Sequence, residues 1–168
     1  EAHQGGEDAS LIGMDLSELD LIGIDLSEVN LLKANLTKAN LDTANLTGSR
    51  LIAATLHQTM LNQAKLIRAD LRKANVRGAY CSGADFSMAD LRAANLSRVN
   101  FSRADLIVAN FSEANLSGAN LEGANLNGAD LSRADLTEAN LGRTDLIGAN
   151  LSEANLRGTI LNGAGVAY

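Results

Sequence analysis

ANLSGANLEGANLNGADLSRADL, residues 114–136, contains the pattern that decides the fold, because an apolar residue returns at every fifth position. The register extends from Leu11 to Val166 without an insertion or deletion, which gives 32 consecutive five-residue units. The central residue is Leu in 26 units, and the residue before it is Asp or Asn in 24. The residue two before it is Ala in 23 units, and Ser or Thr at Ser49, Thr59, Thr144 and Thr159. We therefore predict two inward and three outward positions per unit.

This period excludes regular helices and flat strands. At about 100° per residue, a five-residue repeat would move the Leu by roughly 140° per unit around a helix, which leaves no continuous apolar face. In a strand, side chains alternate with period two, so an odd repeat would send successive leucines to opposite faces. The chain must therefore turn once per unit.

Glycine supports a turn in each unit. Of the 15 glycines, 11 occupy the second position after the central residue. A type II turn needs a positive φ angle at its third residue, and Gly adopts that angle without steric cost.

The stretches ANLTKANLDTANL at 34–46 and ANLSGANLEGANLNGADLSRADL at 114–136 resemble the pentapeptide repeat family, whose motif is A(D/N)Lxx. The resemblance covers Leu11 to the C-terminus and is closest to the Leu-centred bacterial, especially cyanobacterial, members. It implies an all-β fold, a right-handed quadrilateral β-helix with four units per 20-residue coil and about eight coils. At roughly 4.8 Å per stacked layer the rod would be about 38 Å long.

Non-consensus residues also favour four sides. They recur at spacings of 20 or 40 residues, and a triangular coil of 15 residues would scatter them. The recurring sets are Ile12, Leu32 and Ile52; Met60 and Tyr80; Arg72 and Arg92; and Ile67, Ile107 and Ile147.

Two segments are expected along the chain. Residues 1–10 are polar and lack the period, so we predict a disordered tail followed by one repeat domain at 11–168. No apolar stretch is long enough for a membrane span, and no signal peptide is visible. Cytoplasm, periplasm and thylakoid lumen all remain open as compartments.

Cys81, the sole cysteine, occupies a central position and is predicted to be a small buried hydrophobe.

The rod ends suggest one kind of partner. The first coil has bulky residues where Ala is usual, namely Met14, Leu19, Ile24 and Val29, which we predict fill the end of the rod. Uncapped strand edges favour association, so a homodimer through the rod ends is one expectation. An unidentified protein partner is the other.

Seven outward residues are candidates for partner binding, namely Ile12, Leu32, Ile52, Arg50, Met60, Lys65 and Tyr80. Arg50, Thr55, Met60 and Lys65 replace Asp or Asn in four successive units, either by drift at exposed positions or as a recognition band, and Met60 should stack on Tyr80. Ile12, Leu32 and Ile52 should form an apolar ladder, which either binds a partner or packs on itself. Ile67, Ile107 and Ile147, with Met88 and Val108 on the same side, are interpreted as scattered surface residues.

The sequence contains no recognisable catalytic, cofactor or metal motif. Its two histidines, His3 and His57, stand apart, and no Cys/His cluster, Ser-His-Asp set or phosphate-binding loop can be assembled. We therefore predict a protein that is not an enzyme, without a cofactor and without direct nucleic-acid contact.

The predicted function is a rigid scaffold or protein-interaction module. The alternative, implied by the family resemblance, is a DNA mimic that modulates a type II topoisomerase such as gyrase. A mimic needs concentrated negative charge along its surface. Here the formal charges of the outward residues sum to +1 on the side of the coil that starts at Leu11, and to 0, −1 and −3 on the sides that start at Leu16, Leu21 and Leu26. The family resemblance also implies that topoisomerase-protecting members carry Phe at many centres and, in one branch, loops that project from the rod. Here Phe occupies only three centres and no loop interrupts the period, and both departures disfavour the mimic.

Overall fold

The computed structural model describes residues 10–165, and the chain there winds into a stack of 20-residue coils. Parallel β-bridges connect each residue before a central position with the residue 20 further along, from Ser10↔Asn30 to Asp145↔Gly165. Every bridge is a single residue pair, and residues 10–165 contain neither a helix nor a longer strand. The solenoid is therefore built from turns and bridges, with four columns of bridges running along its axis.

Backbone hydrogen bonds repeat identically from coil to coil. The N–H of Leu11 donates to the carbonyl of Asn30 at 2.8 Å, and the N–H of Gly13 donates to the carbonyl of Leu32 at 2.8 Å. In the opposite direction, the N–H of Asn35 donates to the carbonyl of Met14 at 2.9 Å. Since these bonds join residues in neighbouring coils, each coil holds the next in register.

Each unit turns through a hydrogen-bonded β-turn. The N–H of Met14 donates to the carbonyl of Leu11 at 3.1 Å, and the same bond recurs along the rod. All 31 described residues at the second position after the centre have a positive φ angle, including Gly13 and 20 residues that are not Gly, such as Ala53 at 53°. A positive φ at this position alone is the signature of a type II turn. Glycine is thus favoured at the turn, but the stack imposes the angle on other residues as well.

The central and Ala columns form the core. The leucines and alanines of these two columns between Leu31 and Leu141 are buried to within 1 % of complete burial. Phe101 packs edge-on against Phe86 and Phe111, with ring centroids 5.1 Å and 6.2 Å apart. Cys81 is fully buried, as predicted, and burial raises the pKa of its thiol. The interior is therefore packed with side chains along its length.

Two sequence predictions need adjustment at the start of the rod. Ser10, assigned to the tail, bridges Asn30 and so belongs to the first coil; residues 1–9 lie outside the described residues. Of the bulky residues expected to fill the end, Ile24 and Val29 pack on the core, whereas Met14 and Leu19 are about half exposed. Met14 and Leu19 therefore do not close the end of the rod.

Candidate protein-binding surfaces

The four bridge columns define four outer faces. We number them by their first residues: face 1 from Ser10, face 2 from Asp15, face 3 from Asp20 and face 4 from Asp25. Faces 1 and 3 are opposite each other, and face 4 adjoins face 1. Each face also carries the two turn residues that follow its central column.

Asp and Asn in the bridge columns stabilise the turns through their side chains. Asp15 Oδ1 accepts hydrogen bonds from the backbone N–H and the hydroxyl of Ser17, at 3.1 Å and 2.6 Å. The Ser17 hydroxyl, then the Ser17 backbone, lower the pKa of Asp15. Such an Asx-turn bonds a backbone group that the coil itself leaves free. Amides also bond between coils, as Asn35 Nδ2 does to Asp15 Oδ1 at 2.9 Å.

The coil from Arg50 to Lys65 lacks these Asx-turn hydrogen bonds. Arg50, Met60 and Lys65 have no side-chain oxygen that could accept the N–H two residues ahead. At one position a residue of the previous coil replaces the missing acceptor: Asp42 Oδ1 accepts the N–H of Asn62, two residues after Met60, at 2.8 Å. These substitutions therefore remove a local hydrogen bond that most other units retain.

The structure separates the residues of this coil. Arg50 lies on face 1, Thr55 on face 2, Met60 on face 3 and Lys65 on face 4. Met60 does bridge Tyr80, as predicted, and Tyr80 is 48 % exposed. Arg50 and Met60 point from opposite sides of the rod, so the coil cannot form one compact site.

The predicted apolar ladder is formed on face 1. Backbone bonds from Gly13 to Leu32 and from Lys33 to Ile52 place Ile12, Leu32 and Ile52 on three successive coils. Ile12 is 50 % exposed, and the other two are half-buried. Lys33, Arg50, Arg72 and Lys73 surround them on the same face, and we call these seven residues the basic strip.

Ion pairs lie at the edge of the basic strip, where Arg72 is one of its own residues. Arg72 donates to both carboxylate oxygens of Asp70, at 2.8 Å and 2.7 Å, and Arg92 makes the same fork with Asp90. Burial raises the pKa of Asp70, but hydrogen bonds from Arg72 together with the charges of Arg72 and Arg50 outweigh it, and the net shift is downward. These arginines are neutralised locally, which leaves Lys33, Arg50 and Lys73 as the cations of the strip without an ion pair among residues 10–165.

Two grooves lie on the outer surface. One, of about 410 Å³, is lined by Ser82, Ser102, Arg103, Asn120, Glu122, Gly123 and Arg143 on face 3. The other, of about 360 Å³, is lined by Arg72, Lys73, Arg92, Ala93, Ser112 and Glu113 on face 1. Both are open grooves between turn side chains. His57 lies outside both, and its Nδ1 is 3.0 Å from the carbonyl oxygen of Arg77. Within residues 10–165 no cluster of three metal-ligating side chains is present.

No helix in the described part of the chain combines the length and hydropathy that crossing a bilayer requires.

Comparison with protein families gives eight matching copies of the model described as pentapeptide repeats. The matches cover residues 7–42, 39–78, 49–87, 77–112 and 124–163. The chain belongs to the pentapeptide repeat family. A comparison with curated proteins gives no match.

Solved structures of other pentapeptide repeat proteins are similar to this one. HetL, a protein involved in heterocyst differentiation regulation in the cyanobacterium Nostoc sp. strain PCC 7120, is 36 % identical, with a TM-score of 0.58 over 91 % of this chain and 85 % of its own. QnrB1, a plasmid-mediated fluoroquinolone resistance protein, is 20 % identical, with a TM-score of 0.58 over 96 % and 92 %. The likeness to QnrB1 concerns the fold alone, whereas the likeness to HetL extends to the sequence and agrees with the predicted cyanobacterial character.

Sequence reasoning missed a second apolar surface of this pentapeptide repeat protein. Met88, Ile107 and Val108, interpreted as scattered, lie together on adjacent coils of face 4, and Ile147 lies on the same face two coils beyond Ile107; the four are 36–57 % exposed. The 20-residue spacing of Met88 and Val108 was a signal that could have found it.

Proposed function

We propose that this protein is a right-handed quadrilateral β-helix that acts as a non-catalytic scaffold and binds another protein through its outward side chains. The filled interior is the observation that carries this proposal. Core positions between Leu31 and Leu141 are buried to within 1 % of complete burial, so the described coils offer a ligand no internal cavity. Recognition must then use the outward positions, which are also the positions where the sequence varies.

Departures from consensus favour two recognition surfaces. The basic strip exposes apolar residues that a monomeric rod does not need for its core. Arg50, Met60 and Lys65 replace residues that would stabilise the turns, and a local loss of stability is common where a surface serves binding. Tyr80 extends the Met60 surface on face 3.

Affinity purification from a lysate of the organism that encodes the protein tests this function. One variant replaces Ile12, Leu32 and Ile52 with Ser. A second restores the consensus through Arg50→Asn, Met60→Asn and Lys65→Asn, which should keep or raise the melting temperature because the Asx-turns return. Partners identified by mass spectrometry should be lost with one variant while folding is retained. Identical captures by all three proteins would show that these positions vary by drift.

The charge distribution does not favour the alternative function, mimicry of DNA toward a type II topoisomerase. Face 1 carries six cations and five carboxylates, and even face 4 has a net charge of only −3. The phosphate field that such a mimic must reproduce is uniformly negative. We expect no inhibition of gyrase supercoiling, and inhibition at stoichiometric concentrations would instead establish the alternative.

A further inference from the structure

Face 4 carries an exposed apolar surface that the proposed function does not use. Met88 and Val108 occupy equivalent turn positions on successive coils, and the N–H of Met88 donates to the carbonyl of Ile107 at 2.8 Å. Their exposed fractions are 46 % and 57 %, with 36 % for Ile107 and 46 % for Ile147. Gly128 and Gly148 continue the turn column, so no side chain covers Val108 from the following coils.

Carboxylates border most of this apolar surface, and exposed Arg68 precedes Met88 in the turn column. Asp85, Asp105 and Asp145 occupy the bridge column of the same face, and Asp130 lies in the adjoining column of face 1. None of the four forms an ion pair with another residue of the 10–165 segment. We call the four apolar residues and these four carboxylates the acidic strip. It is the counterpart of the basic strip, where Lys33, Arg50 and Lys73 surround Ile12, Leu32 and Ile52.

We infer that the acidic strip of one molecule binds the basic strip of a second copy of this chain. The inference rests on the proposed role of outward side chains in protein binding. Apolar residues would cover apolar residues, and most of the surrounding charges have opposite signs, which favours this pairing over contact between like strips. Both surfaces also repeat at about 4.8 Å along the rod, so side chains of two rods lying side by side can interdigitate in register.

The positions of the strips determine the type of assembly. The basic strip lies on face 1 in the first coils, and the acidic strip lies on adjoining face 4 in later coils. A molecule that uses one strip therefore leaves the other free. Such a contact is heterologous and gives an open chain of copies rather than a closed dimer.

Sedimentation velocity of the purified full chain over a wide concentration range tests the inference. The average mass should rise continuously with concentration, and added salt should oppose the rise. A basic-strip variant (Ile12→Ser, Leu32→Ser, Ile52→Ser) and an acidic-strip variant (Ile107→Ser, Val108→Ser) should each weaken self-association by at least about tenfold. Ile22→Ser, an equally exposed apolar change on face 3, should leave it unchanged.

Mixing the two strip variants is the decisive step. Each retains one intact strip, so an equimolar mixture should form a 1:1 dimer and grow no further. A second pair of variants, Lys33→Glu with Arg50→Glu and Asp105→Lys with Asp145→Lys, changes only exposed or half-buried charged residues and tests the contact if the Ser variants fold poorly. Each charge variant alone should lose self-association, and the two should associate with each other.

Three results would overturn the inference. They are a monomer at every concentration, self-association that both strip variants leave intact, and a mixture that stays monomeric. The second result would indicate contact through another surface, such as the first or last described coils. None of these results affects capture of a different protein, so the proposed scaffold function is tested separately.

Discussion

Two buried hydroxyl groups at equivalent positions of the core should respond in opposite ways to their removal. Ser49 and Thr59 both occupy the inward column that usually holds Ala, and both are fully buried. Thr59 Oγ1 donates to the carbonyl of Leu36 at 2.7 Å, and Thr144 makes the same bond to Leu121 at 3.1 Å. Ser49 Oγ has no hydrogen-bond partner. The two sites therefore differ in hydrogen bonding rather than in burial.

The magnitudes follow from this difference. A buried polar group without a partner costs about 1–3 kcal/mol, whereas a satisfied hydrogen bond contributes about 0.5–1.5 kcal/mol. Ser49→Ala should therefore raise the free energy of unfolding by about 1 kcal/mol. Thr59→Val should lower it by about 1 kcal/mol. Val fits this column, since Val99 occupies it with 1 % exposure.

Equilibrium unfolding in urea, followed by circular dichroism, measures both changes at an unchanged m-value. In thermal unfolding each kcal/mol corresponds to about 2–4 °C for a chain of this length. Thr144→Val is the second control and should resemble Thr59→Val. A loss of stability in Ser49→Ala would refute the reasoning, because it would show that the Ser49 hydroxyl is satisfied in solution.

Three further predictions concern the core and the turns. Leu106→Lys places an unpaired charge at a fully buried position and should abolish cooperative melting; an unchanged transition would contradict the inward position of Leu106. Cys81 should resist thiol reagents in the native protein, because burial raises its pKa, and should react only as the rod opens in denaturant. Rapid labelling without denaturant would mean that the coil around Cys81 is accessible. Asp15 and Asp25 have lowered pKa values through hydrogen bonds from Ser17 and Ser27, so their stabilisation is complete above the unfolded value near 3.8 and is lost as the pH falls further. The melting temperature should therefore decrease below about pH 4. The decrease should be less steep in the double variant Asp15→Asn, Asp25→Asn. An equal decrease in the variant and in the unmodified protein would show that these two carboxylates are not its cause.

The five-residue period was enough to predict the solenoid, because it leaves no alternative to one turn per unit. Non-consensus residues such as Met60 and Tyr80 also gave the 20-residue coil, which the bridge between them confirms. The period did not reveal how strictly the turn angle is imposed. Residues such as Ala53 adopt a positive φ because the bonds to both neighbouring coils leave the turn no other path, and this constraint exists only in the stack.

The candidate surfaces were only partly predictable, for a related reason. The ladder of Ile12, Leu32 and Ile52 follows from spacing alone. The acidic strip depends also on small neighbours, since Gly128 and Gly148 leave Val108 uncovered, and on carboxylates that lie in a different column. A linear sequence places these residues far apart, and only the four-sided winding brings them to one face.

The winding also limits what the Arg50 to Lys65 coil can bind. Consecutive units turn onto consecutive faces, so Arg50 and Met60 lie on opposite sides of the rod, and a flat partner can contact only one of them. If the coil is a recognition band, its partner must wrap around the rod or bind a single face together with residues from neighbouring coils. Met60 with Tyr80 on face 3 and Arg50 with Ile52 on face 1 are two such surfaces. For a partner that binds a single face, reversion of either Met60 or Arg50, but not of both, should weaken its capture. Weaker capture of the same partner by both single reversions would indicate that it wraps around the rod.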